Sequence, residues 1–342
     1  MNSSEFDVIK KYFTFSSGRD DVLLAGGDDC ACVIVPEGNE LVITTDTLVS
    51  GVHFPEQTSA RDIAYKSLMV NLSDLASMGA APAWVTLAIT LPEIDEDWLH
   101  AFSEQLSSLL SEYDVALIGG DTTRGPLSIT IQAMGLVPRG KKLLRSQAMT
   151  GDKIFVTGFI GDAALGLRAV LDGDDDEVLA PCINRLNRPD ARVAFAQDLI
   201  GLSRCAIDIS DGLVADVGHI MEQSNCGVMI ELDKLPLSPS ALDYFAKNVD
   251  EKIDGKVDGK HGDCIDWSLL LTGGDDYELC FTVEPGREDE AHTYLTEGAW
   301  SWYHVERGDD KFAVGDLEGA LADYATAVET NGAERNETTH QE

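Results

Sequence analysis

Hydrophobic and polar positions follow two rhythms along this chain. Residues 40–45 (ELVITT) and 84–91 (WVTLAITL) are rich in β-branched residues, and 115–118 (VALI) and 127–136 (LSITIQAMGL) share that character, which predicts four strands. Between them, 60–78 (ARDIAYKSLMVNLSDLASM) sets Ala64, Leu68, Leu72 and Leu75 three and four residues apart, then stops at Gly79 with Pro82 beyond. That spacing predicts a helix with a leucine stripe, and a second helix is expected from Asp97 to Tyr113. A basic stretch at 139–145 and Thr150-Gly151-Asp152 read as a junction. Beyond it a strand is expected at 153–157, helices near 162–171, 189–200 and 212–224, and strands near 204–209, 227–232, 268–272 and 279–284. Strands mixed with helices imply layers of sheet and helix, an α/β architecture of the α+β type. Two domains are expected, 1–150 and 151–328, with a polar loop at 250–263 and a tail at 329–342 too polar to pack.

Composition narrows the function. With 44% hydrophobic and 25% charged residues, the 342-residue chain reads as a soluble globular protein. Sixty Asp and Glu against 25 Lys and Arg leave a formal net charge of −35, a field that repels nucleic acid and anionic membranes. No stretch reaches a membrane-spanning length and the first residues lack the apolar core of a secretory signal, so a cytoplasmic setting is expected. Seven scattered cysteines (30, 32, 182, 205, 226, 264 and 280) without a C-x-x-C pair read as reduced thiols rather than a disulfide or zinc framework.

Against this acidic background six groups of acids differ, most beside small or glycine residues. They are Gly27-Asp28-Asp29, Thr44-Thr45-Asp46-Thr47, Asn71-Leu72-Ser73-Asp74, Gly119-Gly120-Asp121-Thr122-Thr123, Asp208-Ile209-Ser210-Asp211-Gly212 and Gly273-Gly274-Asp275-Asp276-Tyr277. One such motif is an ordinary turn or helix cap. Six together suggest an oxygen cage for a hard cation, with Thr44, Thr45 and Ser210 hydroxyls as further ligands and magnesium as the natural counter-ion. His53 follows the TTDT segment closely enough to reach the same cleft, and the planar fork of Arg145 suits phosphate oxygens. The acidic run at 172–177 fails as a calcium loop, because Glu177 stands where the turn needs glycine and Ile183 where a bidentate acid is needed. No Walker-type phosphate loop, protein-kinase set, G-x-S-x-G or H-E-x-x-H occurs, so a phosphate-handling enzyme here would rely on acids and metal.

The ordered series GDDCA (27–31), TTDTLVSGVHF (44–54), NLSDLASMGA (71–80), GGDTTRG (119–125), RSQAMTGD (145–152), AIDISDGL (206–213) and GGDDYELCF (273–281) closely resembles the thiamine-monophosphate kinase family, of the aminoimidazole ribonucleotide synthetase-like superfamily. The resemblance implies a two-domain fold, an N-terminal mixed sheet that builds a barrel with that of a second copy in a homodimer, and a C-terminal α/β sandwich. It implies ATP-dependent phosphorylation of thiamine monophosphate to thiamine diphosphate, with several Mg2+ ions. Motif by motif, Asp29, Thr44, Thr45, Asp46, Asp74, Asp121, Asp208 and Asp211 fall on magnesium ligands, and Gly120, Asp121, Arg145 and Ser210 on ATP contacts. His53 and Asp275 fall on contacts to thiamine monophosphate, and Asp46, Asp121 and Asp211 are the acids expected to carry catalysis. Two departures stand out: the family commonly has Glu where Asp275 stands, and its glycine and aromatic closing segment is not evident after residue 285. Other ATP-using enzymes of the superfamily, such as selenophosphate or purine-pathway synthetases, and a non-catalytic nucleotide- or metal-binding protein remain the alternatives.

Overall fold

The computed structural model describes residues 5–15, 18–247, 265–294 and 303–306; the expected loop at 250–263 and the tail at 329–342 lie outside the described residues. Helix α1 (Glu5–Tyr12) precedes a short antiparallel ribbon of β1 (Val22–Leu24) and β2 (Cys32–Val33), whose connecting loop carries Asp28 and Asp29. There follow β3 (Asn39–Val49), α2 (Ala60–Ser77), β4 (Ala81–Leu91), α3 (Glu96–Glu112), β5 (Ala116–Arg124) and β6 (Ser128–Pro138). The last four strands form one sheet in the order β3-β6-β4-β5, antiparallel except for β4 and β5, which run parallel with α3 as their crossover.

Register sorts the side chains of this sheet. Along β3, Thr44, Asp46 and Leu48 turn toward α2, whereas Leu41, Ile43, Thr45 and Thr47 turn to the outer face. The outer face of β4 and β5 carries Trp84, against which Val22 and Val33 of the ribbon pack, and farther along it Ala88 beside Asp121. Gly120 precedes Asp121 because no side chain fits: a Cβ there would stand 1.8 Å from the Leu87 carbonyl oxygen.

The second half holds β7 (Lys153–Val156), α4 (Asp162–Asp172), α5 (Ala180–Asn187), α6 (Val193–Leu199), β8 (Ala206–Asp208), α7 (Leu213–Ser224), β9 (Gly227–Met229), α8 (Pro239–Lys247), α9 (Trp267–Thr272), β10 (Leu279–Val283), α10 (Glu288–Tyr294) and β11 (Tyr303–Glu306). Its five strands pair in the order β8-β10-β7-β11-β9, antiparallel throughout. One face packs Ile154, Val156, Ile207 and Cys280 against α7. The other packs Phe155, Leu279 and Phe281 against α6, and there Ala76 of α2 joins the same cluster.

Helix α2 therefore stands between the two sheets. Ser59 caps it, accepting the Asp62 N–H while its own hydroxyl donates to the Asp62 carboxylate. The expected single leucine stripe is replaced by burial on nearly every side, including Lys66, Ser67, Asn71, Ser73 and Ser77, because the first sheet and α3 cover part of the helix while α5, α6 and β8 cover the rest.

Three sequence expectations change. Residues 268–272, expected as a strand, are α9, since Asp266 accepts the Leu269 N–H as a helix cap and a short apolar run fits either element. The helix expected at 189–200 is shorter, 193–199, and is preceded by an unforeseen α5 that opens on Pro181. The strands expected at 40–45 and 115–118 run farther, to Val49 and Arg124, so the acids of TTDT and GGDTT lie inside β3 and β5.

Because Leu72 is wholly buried on α2 between the two halves, Leu72→Ala is expected to lower unfolding free energy by about 2–5 kcal/mol. Equilibrium urea denaturation, followed by far-ultraviolet circular dichroism, measures this.

Candidate active site

The side chains of β3 that face α2 meet a polar edge of that helix. The Thr44 hydroxyl donates to the Asp74 carboxylate, and the Asp46 N–H donates to Asn71 Oδ1 at 3.1 Å. Asn71, wholly buried, anchors itself by donating to the Ser67 carbonyl at 3.0 Å, so its role is to hold the strand to the helix rather than to face water. Two positions beyond Asn71 on α2, the Ser73 hydroxyl donates to Asp208 Oδ2 at 2.9 Å, which ties the end of β8 to the first half. Thr44, Asp46, Asp74 and Asp208 thus converge where the two halves meet.

This convergence is electrostatically costly. Burial, then the Asp74 charge, pushes the Asp46 carboxyl up to about 6. Asp74 is raised by burial too, with the Thr44 hydroxyl and Arg145 pulling the other way. Asp208, only 2% exposed, is raised chiefly by burial and next by Asp74. Arg145 begins a single helical turn at 145–147 and lines a cavity of about 400 Å³ together with Thr44, Asp74, Ser77, Met78 and Leu143. Its guanidinium is the cation that acts on both Asp74 and Asp208.

A second set of loops closes the site from the C-terminal half. The N–H groups of Ser210 and Asp211 both donate to Asp216 Oδ2 at 3.0 Å, and the Asp216 carboxyl is pushed up to about 6, first by burial. Against that loop lies the 273–277 segment, where the Asp275 N–H donates to the Ser210 carbonyl and the Tyr277 N–H to the Ile209 carbonyl. Asp275 and Tyr277 both adopt left-handed backbone, at φ 70° and 50°, a conformation unfavourable for these residues and held only where the surroundings over-determine it. Gly274 makes the close approach possible, since a Cβ there would stand 2.1 Å from the Ser210 carbonyl oxygen. Asp276, fully buried, accepts the Gly161 N–H at the start of α4, and Glu278 accepts from Arg185, Arg192 and Thr157; these acids brace the segment from behind. His53 is exposed, and its Nδ1 accepts the Val49 N–H, which leaves Nε2 free to donate.

The fold does not gather every residue singled out from the sequence. Thr45 points to the outer face, where Gln132 donates to its hydroxyl at 3.3 Å, and Asp121 shares that face, so the sheet lies between these two and the Asp46 carboxylate. Asp29 is exposed in the ribbon loop, and Asp211 is exposed beside Ser210. Lys66, Ser73, Asp216 and Tyr277 take positions in the site that sequence reasoning had not given them. Signals existed for three: Lys66 and Ser73 are spaced by four and seven residues in the series from Asp62 and so share one helical face, and Asp216 lies in the first turn after Gly212.

The donors at the junction are carboxylate and hydroxyl oxygens, the chemistry of a hard divalent cation, and their crowding leaves a charge deficit that such a cation meets. Among the described residues, no three such acids are already arranged around one point. Asp46, Asp74 and Asp208 fit Mg2+ as a set of neighbours rather than as a finished cage.

Residues 27–137 match the model of the AIR synthase related protein N-terminal domain. The thiamine-monophosphate kinase of Haemophilus influenzae is 47% identical over 300 residues, 86% of each chain. The crystal structure of thiamine-monophosphate kinase from Stenotrophomonas maltophilia K279a superposes with a TM-score of 0.74 at 43% identity, over 85% of this chain and 90% of that one. AaThiL complexed with AMPPCP and TMP superposes with a TM-score of 0.69 at 27% identity, over 90% and 91%.

Raised carboxyl values mean that the folded chain keeps protons which the unfolded chain releases above about pH 4. Metal-free stability is therefore highest while these acids are protonated and falls as pH rises through about 6. In EDTA, the calorimetric melting temperature is expected to drop between pH 5 and 7.5, and Asp46→Asn to reduce that drop. An Asp46→Asn protein that tracks the wild type at every pH would remove Asp46 from the cluster.

Proposed function

This chain belongs to the thiamine-monophosphate kinase family, and on that footing we propose that it transfers the γ-phosphoryl group of ATP to thiamine monophosphate, forming thiamine diphosphate. The observation that carries the reading is the meeting of Thr44, Asp46 and Asp74 with Asp208 across the junction of the two halves, beside Arg145 and an open cavity. ATP and thiamine monophosphate are the co-substrates, in keeping with the bound pair named for AaThiL.

Transfer is direct and in line. The acceptor phosphate is already anionic at neutral pH, so the reaction needs no strong general base and no phosphoenzyme. The obstacle is repulsion between two phosphate groups inside a chain of net charge −35. Asp46, Asp74 and Asp208, with Thr44, would hold Mg2+, which when bound would supply charge neutralisation and alignment of the phosphoryl oxygens. The chain's own groups do the positioning. Arg145 grips phosphate oxygens with its planar fork, the Ser210 hydroxyl meets the nucleotide, and His53 Nε2 and the Asp275 carboxylate orient the acceptor. Asp211, exposed beside Ser210, adds a further ligand at the rim.

The two units, 1–150 and 151–328, act together across α2. Thr45, Gly120, Asp121 and Asp29 fit the reading through a homodimer. Leu41 and Ile43, 40% and 55% exposed, line the outer face with Thr45, and an apolar stripe of this kind suits a second copy of the sheet. A second copy packed there brings Thr45 and Asp121 into a shared interface. A cytoplasmic setting belongs to this reading, as a biosynthetic kinase of this family; separately, among the described residues no helix is long and apolar enough to cross a membrane.

With ATP, Mg2+ and thiamine monophosphate, the purified chain is expected to yield thiamine diphosphate by chromatography; ADP formed only with another acceptor would transfer the reading to a different enzyme of the superfamily. Asp46→Asn and Asp121→Asn are each expected to fold normally and lose about 10²-fold or more in turnover, and near-normal turnover in either would count against its role. Ile43→Glu is expected to shift the sedimentation coefficient from that of a dimer toward that of a monomer.

A further inference from the structure

Lys66 is a cation buried in α2, with a side chain only 3% exposed. An ammonium taken so far out of water is strongly unfavourable unless it is paired. Its Nζ lies 3.0 Å from Asp275 Oδ2 and 3.4 Å from the His53 carbonyl oxygen. One buried amine thus touches both residues proposed above to orient the acceptor, and it reaches Asp275 from the opposite half of the molecule. The Asp275 side chain is 29% exposed, so its carboxylate stands between the hidden ammonium and the open cleft. Its other oxygen, Oδ1, accepts the Tyr277 hydroxyl at 3.2 Å. Burial raises the Tyr277 phenol well above its ordinary value, which keeps its proton available for that bond.

We propose that Lys66 is a positioning residue for recognition of thiamine monophosphate, fixing the direction of the Asp275 carboxylate together with Tyr277 and steadying the His53 turn through its carbonyl. This rests on the function proposed above. Lys66 is too deeply buried to touch a ligand, so it acts through Asp275 and His53. Its donors leave each Asp275 oxygen with a further lone pair for an N–H or cationic group of the thiamine moiety. The pairing also removes a hazard: an unpaired carboxylate at the rim would repel the incoming phosphate, whereas a carboxylate neutralised from behind does not. Because the pair joins α2 to the 273–277 segment, acceptor recognition depends on the two halves being docked.

The test compares Lys66→Met with Lys66→Arg and Asp275→Asn in the full chain, with steady-state kinetics in each substrate. Lys66→Met is expected to raise KM for thiamine monophosphate about tenfold or more while KM for ATP stays within about twofold and kcat changes less than KM. Lys66→Arg is expected to recover part of the loss, and Lys66→Met combined with Asp275→Asn to be no worse than Asp275→Asn alone, since the two act as one unit. Should Lys66→Met fail to fold, Lys66→Gln, which keeps a hydrogen-bond donor of similar reach, carries the same expectation. Equal rises in both KM values, an unchanged KM for thiamine monophosphate, or additive losses in the double variant would overturn the assignment. If the wild-type chain makes no thiamine diphosphate, the failure belongs to the proposed function; if it does and folded Lys66 variants match it, the failure belongs to this inference alone.

Discussion

A carboxylate removed from water must find compensation, and this protein removes Asp208 almost completely. The Ser73 hydroxyl supplies one hydrogen bond, and Arg145 supplies part of the charge. Neither cancels the proximity of Asp74, which acts on Asp208 and Asp46 alike. The surrounding architecture follows from that imbalance. Two halves of the chain must be held together while like charges at their junction push them apart, so cohesion comes from elsewhere: the apolar cluster that Ala76 shares with Phe155 and Phe281, and the ion pair between Asp62 and Arg188. A site poised in this way favours a cationic ligand by construction, because the ligand relieves a penalty already built into the folded state.

Helix α2 distributes these tasks around its circumference. Asn71 and Asp74 serve the first sheet, through the Asp46 backbone and the Thr44 hydroxyl. Asp62, Lys66 and Ser73 serve the second half, through Arg188, Asp275 and Asp208. Leu68 and Leu72 fill the space among them, wholly buried. The acidic junction and the Asp275 segment are therefore referred to one rigid element, which suits the proposed reaction, in which two anionic groups must be aligned within a fraction of an ångström.

Much of this was legible in the amino-acid order, and the failures are instructive. Long periodic segments such as 60–78 and the β-branched runs at 40–45 and 84–91 announced their elements, since helical and strand rhythms differ over that length. The run SLLLT at 268–272 did not, because three leucines in a row fit either rhythm and the deciding bond, from the Leu269 N–H to Asp266, lies at its edge. The six acidic motifs marked the site's ingredients, yet motif matching is blind to the faces of a strand: period-two alternation places Thr44 and Asp46 on one side and Thr45 on the other. Lys66 escaped notice because a lysine within an amphipathic pattern normally points to water. Its burial follows from the tertiary packing of the C-terminal half on α2, which no local window contains.

The all-round use of α2 has an evolutionary corollary. Each residue added to or removed from a helix rotates everything beyond it by about 100° and shifts it by about 1.5 Å. A single-residue insertion between Lys66 and Asn71 would swing Asn71, Ser73 and Asp74 away from their partners while leaving Asp62 and Lys66 in place, separating the acidic junction from the Lys66–Asp275 pair. Loops elsewhere in the chain can lengthen or shrink among descendants without such a penalty. This helix is confined to drift by substitution at constant length.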